Sequence, residues 1–465
     1  MGDSFDVIVL GGGPTGENAA ARSVRGGLTA AIVESQLLGG ECSYWACMPS
    51  KALLRPGHAL AAARRVPGVP AGERLDPAAV LARRDSFTAG WDDAGQVEWA
   101  EGAGITVIRG YGRISGVREV SVDGRTLTAR HAVVVCTGST PVRPPVPGLA
   151  EVRTWSSREA TSAKAVPERL AVLGGGVVGV EMAQAWARLG SRVSLVVSAD
   201  RPLHRMEPFV GDLVTEGLVA DGVDCRFGRT AQRVAEAGDA VELTLSGGER
   251  VVADELLVAT GRRPATDDIG IDTLGLEPGA PLAVDDSGLV STVDGQWLYA
   301  AGDVTGRAPL THQGKYAARV VGDVIAARAK GGPVDTSAWS PFSATADHVC
   351  VPQVVFTDPE VAFVGRTAEQ ATRDGIETEV TDVDIAVAGS ALHADGYRGR
   401  ARMVVDKRRR VVVGVTFVGQ DVAELLHSAT IAVAGEVIVD RIWHAVPAYP
   451  TISEVWLRLL EAYGL

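Results

Sequence analysis

The sequence predicts an α/β fold made of two parallel-sheet units of one plan, followed by a smaller mixed domain. Three observations predict it. A short apolar run, Asp6-Val-Ile-Val-Leu10, leads into Gly11-Gly-Gly13-Pro14-Thr-Gly16 and then a helical pattern over Glu17–Arg25. The same succession returns as Leu170–Leu173, Gly174-Gly-Gly176-Val-Val-Gly179 and Val180–Leu189. The chain has 465 residues, more than one core accommodates, so roughly two to four domains are expected.

In the first unit each element has a physical reason. Gly11 makes the tight turn out of the strand, Gly13 lets backbone approach a pyrophosphate, and Gly16 lets the helix lie close to the strand. The helix N-terminus, opening around Pro14, then faces the phosphates. A second strand, Thr29–Val33, ends in Glu34, 23 residues after the first glycine. That carboxylate can accept both hydroxyls of an adenosine ribose. A glycine motif in this full strand–helix–strand–acid setting reads as a Rossmann-like dinucleotide site.

Next comes Gly39-Gly40-Glu-Cys42-Ser-Tyr-Trp-Ala-Cys47-Met-Pro-Ser-Lys51. The two cysteines are not half of a four-ligand zinc site, because Cys136, Cys225 and Cys350 are isolated. In a regular helix, residues five apart point about 140° away from each other. A bond between Cys42 and Cys47 therefore requires a bend between them. Pro49 is tolerated only in a first turn, so a helix running through Lys51 should begin at about Ala46–Pro49. Cys47 then stands at the positive end of the helix dipole, where a thiolate is stabilised.

In the second unit the strand Arg192–Val197 ends in Ser198 rather than an acid. Nothing there repels a 2′-phosphate, and Arg201 and Arg205 follow closely, which favours NADPH over NADH. The alternative, that both arginines are solvated loop residues, stays open. Val133-Val-Val-Cys-Thr137-Gly138 and Leu256-Leu-Val-Ala-Thr260-Gly261 are matching apolar strands ending in Thr-Gly. Trp297-Leu-Tyr-Ala-Ala-Gly302-Asp303 is another, whose carboxylate could hold a sugar-like chain. Pro-rich Arg143–Gly148 reads as a linker between the halves.

The net charge of −12 argues against a nucleic-acid partner. The basic run Lys407–Arg410 lies between the strand-like segments Ala401–Val405 and Val411–Phe417 and reads as a solvated hairpin turn. No signal peptide, myristoylation site or uncharged membrane-length run is visible. Five cysteines in a long chain without such a signal suggest a reducing, cytoplasmic location. The eight histidines show no metal-ligand spacing.

Together these residues resemble the class I pyridine nucleotide–disulfide oxidoreductases, the group of dihydrolipoamide dehydrogenase, glutathione reductase and mercuric reductase. The markers are the first glycine motif with Glu34, Cys42…Cys47-Met-Pro-Ser-Lys51, the second glycine motif with Glu181, Gly302-Asp303, and Phe356-Thr-Asp-Pro-Glu360. The resemblance implies an FAD domain over 1–149 and 272–343, an NAD(P) domain over 150–271 and a C-terminal α+β dimerisation domain over 344–465. It implies a homodimer whose active site is shared across the interface. Cys42 and Cys47 would form the redox disulfide, with Cys47 as the thiolate nearer the flavin and Cys42 meeting the acceptor. Lys51 and Glu181 would be the ion pair beside the flavin, and Asp303 would bind the ribityl or pyrophosphate region. Gly112 would back the adenine, and Thr311 and His312 would open the helix facing the flavin's O2 edge.

The chain departs from that pattern at Tyr449-Pro-Thr-Ile-Ser-Glu454, where disulfide reductases carry histidine in place of Tyr449. An unperturbed imidazole titrates near pH 6.5 and a phenol near about 10, so the phenol is a poor base at neutral pH. Mercuric reductase shares the tyrosine, but neither a terminal cysteine pair after Tyr463-Gly-Leu465 nor an N-terminal metal-binding domain is expected here, so mercury reduction is not the leading expectation. The expected function is therefore an FAD-dependent NAD(P)H oxidoreductase acting through Cys42–Cys47 on a small disulfide or thiol-reactive acceptor. The alternatives are a quinone or metal-ion reductase working directly from the flavin, and a redox-sensing flavoprotein of low turnover.

Overall fold

The computed structural model describes residues 3–72 and 74–465. The chain divides into two compact units. The first comprises residues up to Pro49, Asp85–Val142 and Arg262–His348, and the second Ser50–Arg84, Arg143–Gly261 and Val349–Leu465.

In the first unit the strand Ser4–Leu10 lies at the centre of a sheet, parallel to Ala30–Glu34 on one side and Arg125–Val135 on the other. Ile105–Arg109 extends it past Ala30–Glu34, and Leu298–Ala300 adds to Arg125–Val135, both parallel. The antiparallel strands Glu119–Val122 and Gly112–Gly116 complete it. Parallel strands are covered on both faces, which is why they read as continuous apolar runs. Val7 and Val9 pack on one face with Ala19, Ile32 and Val321. Ile8 and Leu10 pack on the other with Val33, Val133 and Leu298.

The glycine helix spans Pro14–Arg25. It starts three residues before the apolar periodicity suggests, because proline's fixed φ suits the first helical position. Gly16 is a steric necessity: a Cβ there would lie 1.9 Å from the Gly11 carbonyl oxygen. Gly11, at φ +98°, faces the Cys136 carbonyl oxygen at 2.4 Å from an added Cβ.

The second unit repeats the plan. Arg169–Leu173, Arg192–Val197, Asp224–Phe227 and Glu255–Val258 form a parallel sheet, with a second glycine helix at Val177–Arg188. Gly179 again leaves 1.9 Å between an added Cβ and the Gly174 carbonyl oxygen. A three-stranded antiparallel sheet sits beside it in sequence, Ala231–Ala237, Ala240–Leu245 and Arg250–Ala253. The C-terminal part of this unit is a five-stranded antiparallel sheet in the order Gln353–Val355, Glu360–Gly365, Val411–Gly419, Arg400–Asp406, Thr378–Asp384. The side-chain amide of Gln184 ties the second glycine helix to this region. It donates to the Asp358 carbonyl at 2.9 Å and accepts the Asp358 N–H at 2.8 Å.

The basic run is the turn between Arg400–Asp406 and Val411–Gly419, as the hairpin reading expects. Its charges are locally paired: Lys407 with Glu377 at 3.3 Å, Arg409 with Glu436 at 2.6 Å and Arg410 with Asp440 at 2.8 Å. Among the described residues no helix is long and apolar enough to cross a membrane, and no cluster of three metal-ligating side chains forms.

The glycine packing is directly testable. Gly16→Ala must move helix from strand, and overpacking of that kind costs about 1–3 kcal/mol. Gly95, in the helix Ala94–Gly102, has nothing within 4 Å of an added Cβ, so Gly95→Ala should be neutral or slightly stabilising. Urea unfolding of the two variants should separate them; equal midpoints would refute the close-packing account.

Candidate active site

The break between the two cysteines is real. A short helix, Gly40–Tyr44, opens on Gly39 at φ +107° and closes at Trp45. The cysteine helix then runs Cys47–Arg64, within the expected start of Ala46–Pro49. Pro49 lies in its first turn, where the missing N–H removes no helical bond. Cys42 thus belongs to one helix and Cys47 begins the next.

A third residue brings them together. The Thr311 Oγ1 donates to the Cys42 Sγ at 3.2 Å and lies 3.3 Å from the Cys47 Sγ. Thr311 is the first residue of the helix Thr311–Ala329, so both sulfurs sit near the positive end of a helix dipole. The thiols also hydrogen-bond to each other. Donation to Cys47, reinforced by burial, pushes the Cys42 thiol well above its ordinary pKa, while Thr311 and Lys315 pull it back. The neighbouring Cys47 thus opposes loss of the Cys42 proton.

Tyr44 is 3% exposed and stacks tilted on Trp45 at 5.7 Å. Its carbonyl accepts the Trp91 Nε1–H at 3.0 Å. Of the two aromatics between the cysteines, Tyr44 is core packing.

The glycine motif of the first unit stands against the cysteine segment. A Cβ on Gly40 would lie 2.7 Å from the Gly13 Cα. The glycine helix begins at Gly13 with no side-chain cap, leaving its first N–H groups for a ligand. Around Gly13 the one close atom is the Gly40 Cα at 3.9 Å from an added Cβ, room of the kind a pyrophosphate needs. Glu34 ends its strand as expected, with its carboxylate accepting the Gly12 N–H and the Gln36 N–H, each at 2.7 Å. Thr137 bonds the Ala265 carbonyl at 2.8 Å, and Gly138 turns at φ +75° with open space around it. Asp303 accepts the Ser139 hydroxyl at 2.6 Å. Gly112 packs on Leu10 and Val33, 2.7 and 2.9 Å from an added Cβ. His312 is exposed beside Thr311. These residues fit an adenine dinucleotide: an uncapped helix start, an open glycine and an acid at the strand end.

The second cradle has the same features. Its glycine helix is preceded by Gly176, uncapped and with nothing within 4 Å of an added Cβ. Gly174 turns at φ +119° and Gly261 at φ +135°, the latter again in open space. Ser198 is exposed, and Arg201 reaches Asp200 at 3.2 Å while its stem lies along Gly211. In this unit Lys51 Nζ bonds Glu181 Oε2 at 2.8 Å. Glu181 is 3% exposed, and its other oxygen accepts the Phe356 N–H at 2.9 Å. The ammonium also stands 4.9 Å from the Phe356 ring centroid.

Near the C-terminus, Tyr449 is 77% exposed, and Glu454 is buried with Oε2 lacking a hydrogen-bond partner. Sequence reasoning missed four residues of the first unit. Arg262 bonds Glu41 at 2.6 Å and the Ser139 hydroxyl at 2.8 Å, linking the cysteine segment to Asp303. Glu17 is buried in the glycine helix with an unpartnered oxygen. Its signal was weak: an acid just after the glycine motif, two and three residues before the small apolar Ala19 and Ala20 that share its burial.

Comparison with known proteins agrees with this geometry. The pyridine nucleotide-disulphide oxidoreductase family model matches residues 5–328, and that family's dimerisation domain matches residues 351–459. A mercuric reductase of Acidithiobacillus ferrooxidans is 32% identical over 463 residues, 97% of this chain and 81% of that protein. A dihydrolipoyl dehydrogenase of Chlamydia muridarum is 30% identical over 468 residues, 98% of this chain and 96% of that one. The Cu(II) complex of the HOCl-induced flavoprotein disulfide reductase RclA from Escherichia coli has the same fold. Its TM-score is 0.84 at 23% identity, covering 99% of each chain.

The role of Thr311 can be measured without turnover. A hydrogen bond to a charged group is worth about 1.5–3 kcal/mol, so Thr311→Val should raise the pH midpoint of Cys42 alkylation by about one unit. Thr311→Ser should restore it. Identical profiles for the valine variant and the parent would show the hydroxyl to be incidental.

Proposed function

This chain belongs to the pyridine nucleotide-disulphide oxidoreductase family, and from that premise we propose that it passes electrons from NADPH, through Cys42 and Cys47, to a small disulfide or thiol-reactive acceptor. The observation that carries the reading is the pair of sulfurs sharing one threonine hydroxyl at a helix start. Bound FAD supplies the hydride acceptor that connects the nicotinamide to the cysteine pair.

The balance for a disulfide acceptor is one NADPH and one proton consumed, one NADP⁺ and two thiols released. In the reduced pair Cys42 carries the proton and Cys47 the negative charge. Cys42, once deprotonated, attacks the acceptor sulfur and expels one thiolate, which takes up a proton. Cys47 then attacks Cys42, re-forming the Cys42–Cys47 bond and expelling the second thiol. Thr311 steadies the thiolate through both steps. The uncapped starts of the two glycine helices hold the dinucleotide phosphates, with Glu34 on a ribose and Asp303 on the ribityl or pyrophosphate region. Lys51, placed by its ion pair with Glu181, stands beside the flavin ring.

NADPH rather than NADH is favoured by Ser198 at the strand end and by Arg201 and Arg205 just beyond it. The dimerisation-domain match supports a homodimer. Residues 1–149 with 272–343, 150–271 and 344–465 serve as the FAD, NAD(P) and dimerisation parts, and Tyr449 and Glu454 reach the partner's active site. A second reading has one specific observation behind it: Tyr449 replaces the imidazole that disulfide exchange uses, which favours a quinone or metal-ion acceptor served directly from the flavin.

Anaerobic titration with NADPH, followed by visible absorbance, tests the first reading. Two electrons should leave most flavin colour and raise a long-wavelength thiolate band, absent in Cys47→Ser and retained in Cys42→Ser. Full bleaching by two electrons without that band would reject the cysteine route and move quinones and metal ions forward. Arg201→Ala should raise the KM for NADPH about tenfold, from loss of one charge-assisted phosphate contact, and leave NADH unchanged. Equal effects on both coenzymes would remove Arg201 from phosphate recognition.

A further inference from the structure

The start of the first glycine helix is held between two glycine–acid pairs. On one side a Cβ on Gly40 would lie 2.7 Å from the Gly13 Cα, and the next residue is Glu41. On the other a Cβ on Gly302 would lie 2.8 Å from the Thr15 hydroxyl oxygen, and the next residue is Asp303. Two further side chains join these acids. Arg262 Nη2 donates to Glu41 Oε2 and to the Ser139 carbonyl, each at 2.6 Å, and its Nε donates to the Ser139 hydroxyl at 2.8 Å. Ser139 donates in turn to Asp303 Oδ2 at 2.6 Å. Glu41, Arg262, Ser139 and Asp303 thus form an arc from one flank of the helix start to the other, all within the first unit.

The arc runs in one direction. A guanidinium offers only donors, and a hydroxyl has a single proton. With its oxygen accepting from Arg262, Ser139 spends that proton on Asp303. Among the described residues the Asp303 carboxylate makes no other hydrogen bond, so Oδ1 is left to accept from a ligand hydroxyl. Arg262 also stands where the chain returns to this unit. Arg262–Pro264 pairs antiparallel with Ser139–Pro141, and residues 143–261 leave after one strand and come back at the other. The Ala265 N–H on the Gly138 carbonyl at 3.0 Å and the Thr137 hydroxyl on the Ala265 carbonyl at 2.8 Å close the same neck. The side chains of Arg262 and Glu41 are 30% and 31% exposed. An ion pair exposed to that extent adds little to folding stability, so its placement points to the ligand cradle rather than to the fold.

We propose that Arg262, anchored by Glu41, is a positioning residue for bound FAD. Through Ser139 it fixes the Asp303 carboxylate as acceptor of the ribityl hydroxyls, and with Glu41 it closes the arc beside the helix start that holds the phosphates. This rests on the reading of the first unit as the FAD cradle. Arg262 takes part in no electron or proton transfer; it acts on the flavin only through Ser139 and Asp303.

The test is the rate at which the diluted holoenzyme releases FAD, read by the rise of free-flavin fluorescence. Losing one hydrogen bond to a charged group weakens binding about tenfold. Arg262→Met and Ser139→Ala should each speed release by about that factor, and Ser139→Thr, which keeps the hydroxyl, should stay near the parent. Because the two residues act in series, the double variant Ser139→Ala/Arg262→Met should release FAD about as fast as Arg262→Met alone. Effects that multiply to about a hundredfold would mean independent contacts and overturn the relay. Release at the parent rate in both single variants overturns it too. Release that follows a fall in melting temperature, with no rescue by Ser139→Thr, would mark a packing role and also overturn it. Should Arg262→Met lose its flavin during purification, Ser139→Ala against Ser139→Thr decides. FAD release involves neither NADPH nor the cysteines. A parent that holds FAD but gives no thiolate band with NADPH therefore rejects the cysteine route separately, while the release rates still judge Arg262.

Discussion

The second unit depends on one buried carboxylate. Glu181 sits on the second glycine helix and is almost sealed from solvent, yet both its oxygens are used, one by the Lys51 ammonium and one by the Phe356 N–H. A carboxylate so buried is tolerated only when paired and hydrogen-bonded. Satisfying it forces the cysteine helix, the second glycine helix and the Phe356 strand end into one arrangement. Three residues along, Gln184 fastens the same helix to the Asp358 backbone with both ends of its amide. The glycines make this possible from the other side. With Gly179 against the Gly174 carbonyl, the helix lies close enough to its strand to direct Glu181 and Gln184 at fixed partners.

The first unit uses the same economy for a different end. Its glycine helix starts without a side-chain cap, against Gly40 of the cysteine segment. The short helix ending at Trp45 and the new helix starting at Cys47 give the two sulfurs independent directions, which a continuous helix denies. Thr311 then collects both. Because its hydroxyl stands at a helix start, the donor and the helix dipole act in one sense, favouring negative charge on sulfur. The two cysteines differ in place: Cys42 lies inside the short helix with its thiol held above the ordinary value by Cys47 and burial, while Cys47 opens its own helix.

Proton supply is where this chain departs from the members of its family that reduce disulfides. Tyr449 stands exposed where those members carry an imidazole, and a phenol, titrating at about 10, exchanges protons poorly at neutral pH.

Much of this was legible in the sequence because it depends on local chain geometry. Gly11, Gly16, Gly174 and Gly179 are required by contacts within one strand–turn–helix unit, so their spacing reveals both units. Pro49 places the start of the cysteine helix by its missing N–H alone. The hairpin around Lys407–Arg410 and the strand-ending Glu34 and Gly302-Asp303 are local in the same sense. What only the tertiary structure decided are contacts between residues far apart in the chain: Thr311 against both sulfurs, Arg262 joining Glu41 to Ser139, and Gln184 gripping Asp358. The environment of Glu17 belongs there too. A glutamate's letter in the sequence does not reveal whether it is solvated; burial in the folded first unit decides that for Glu17.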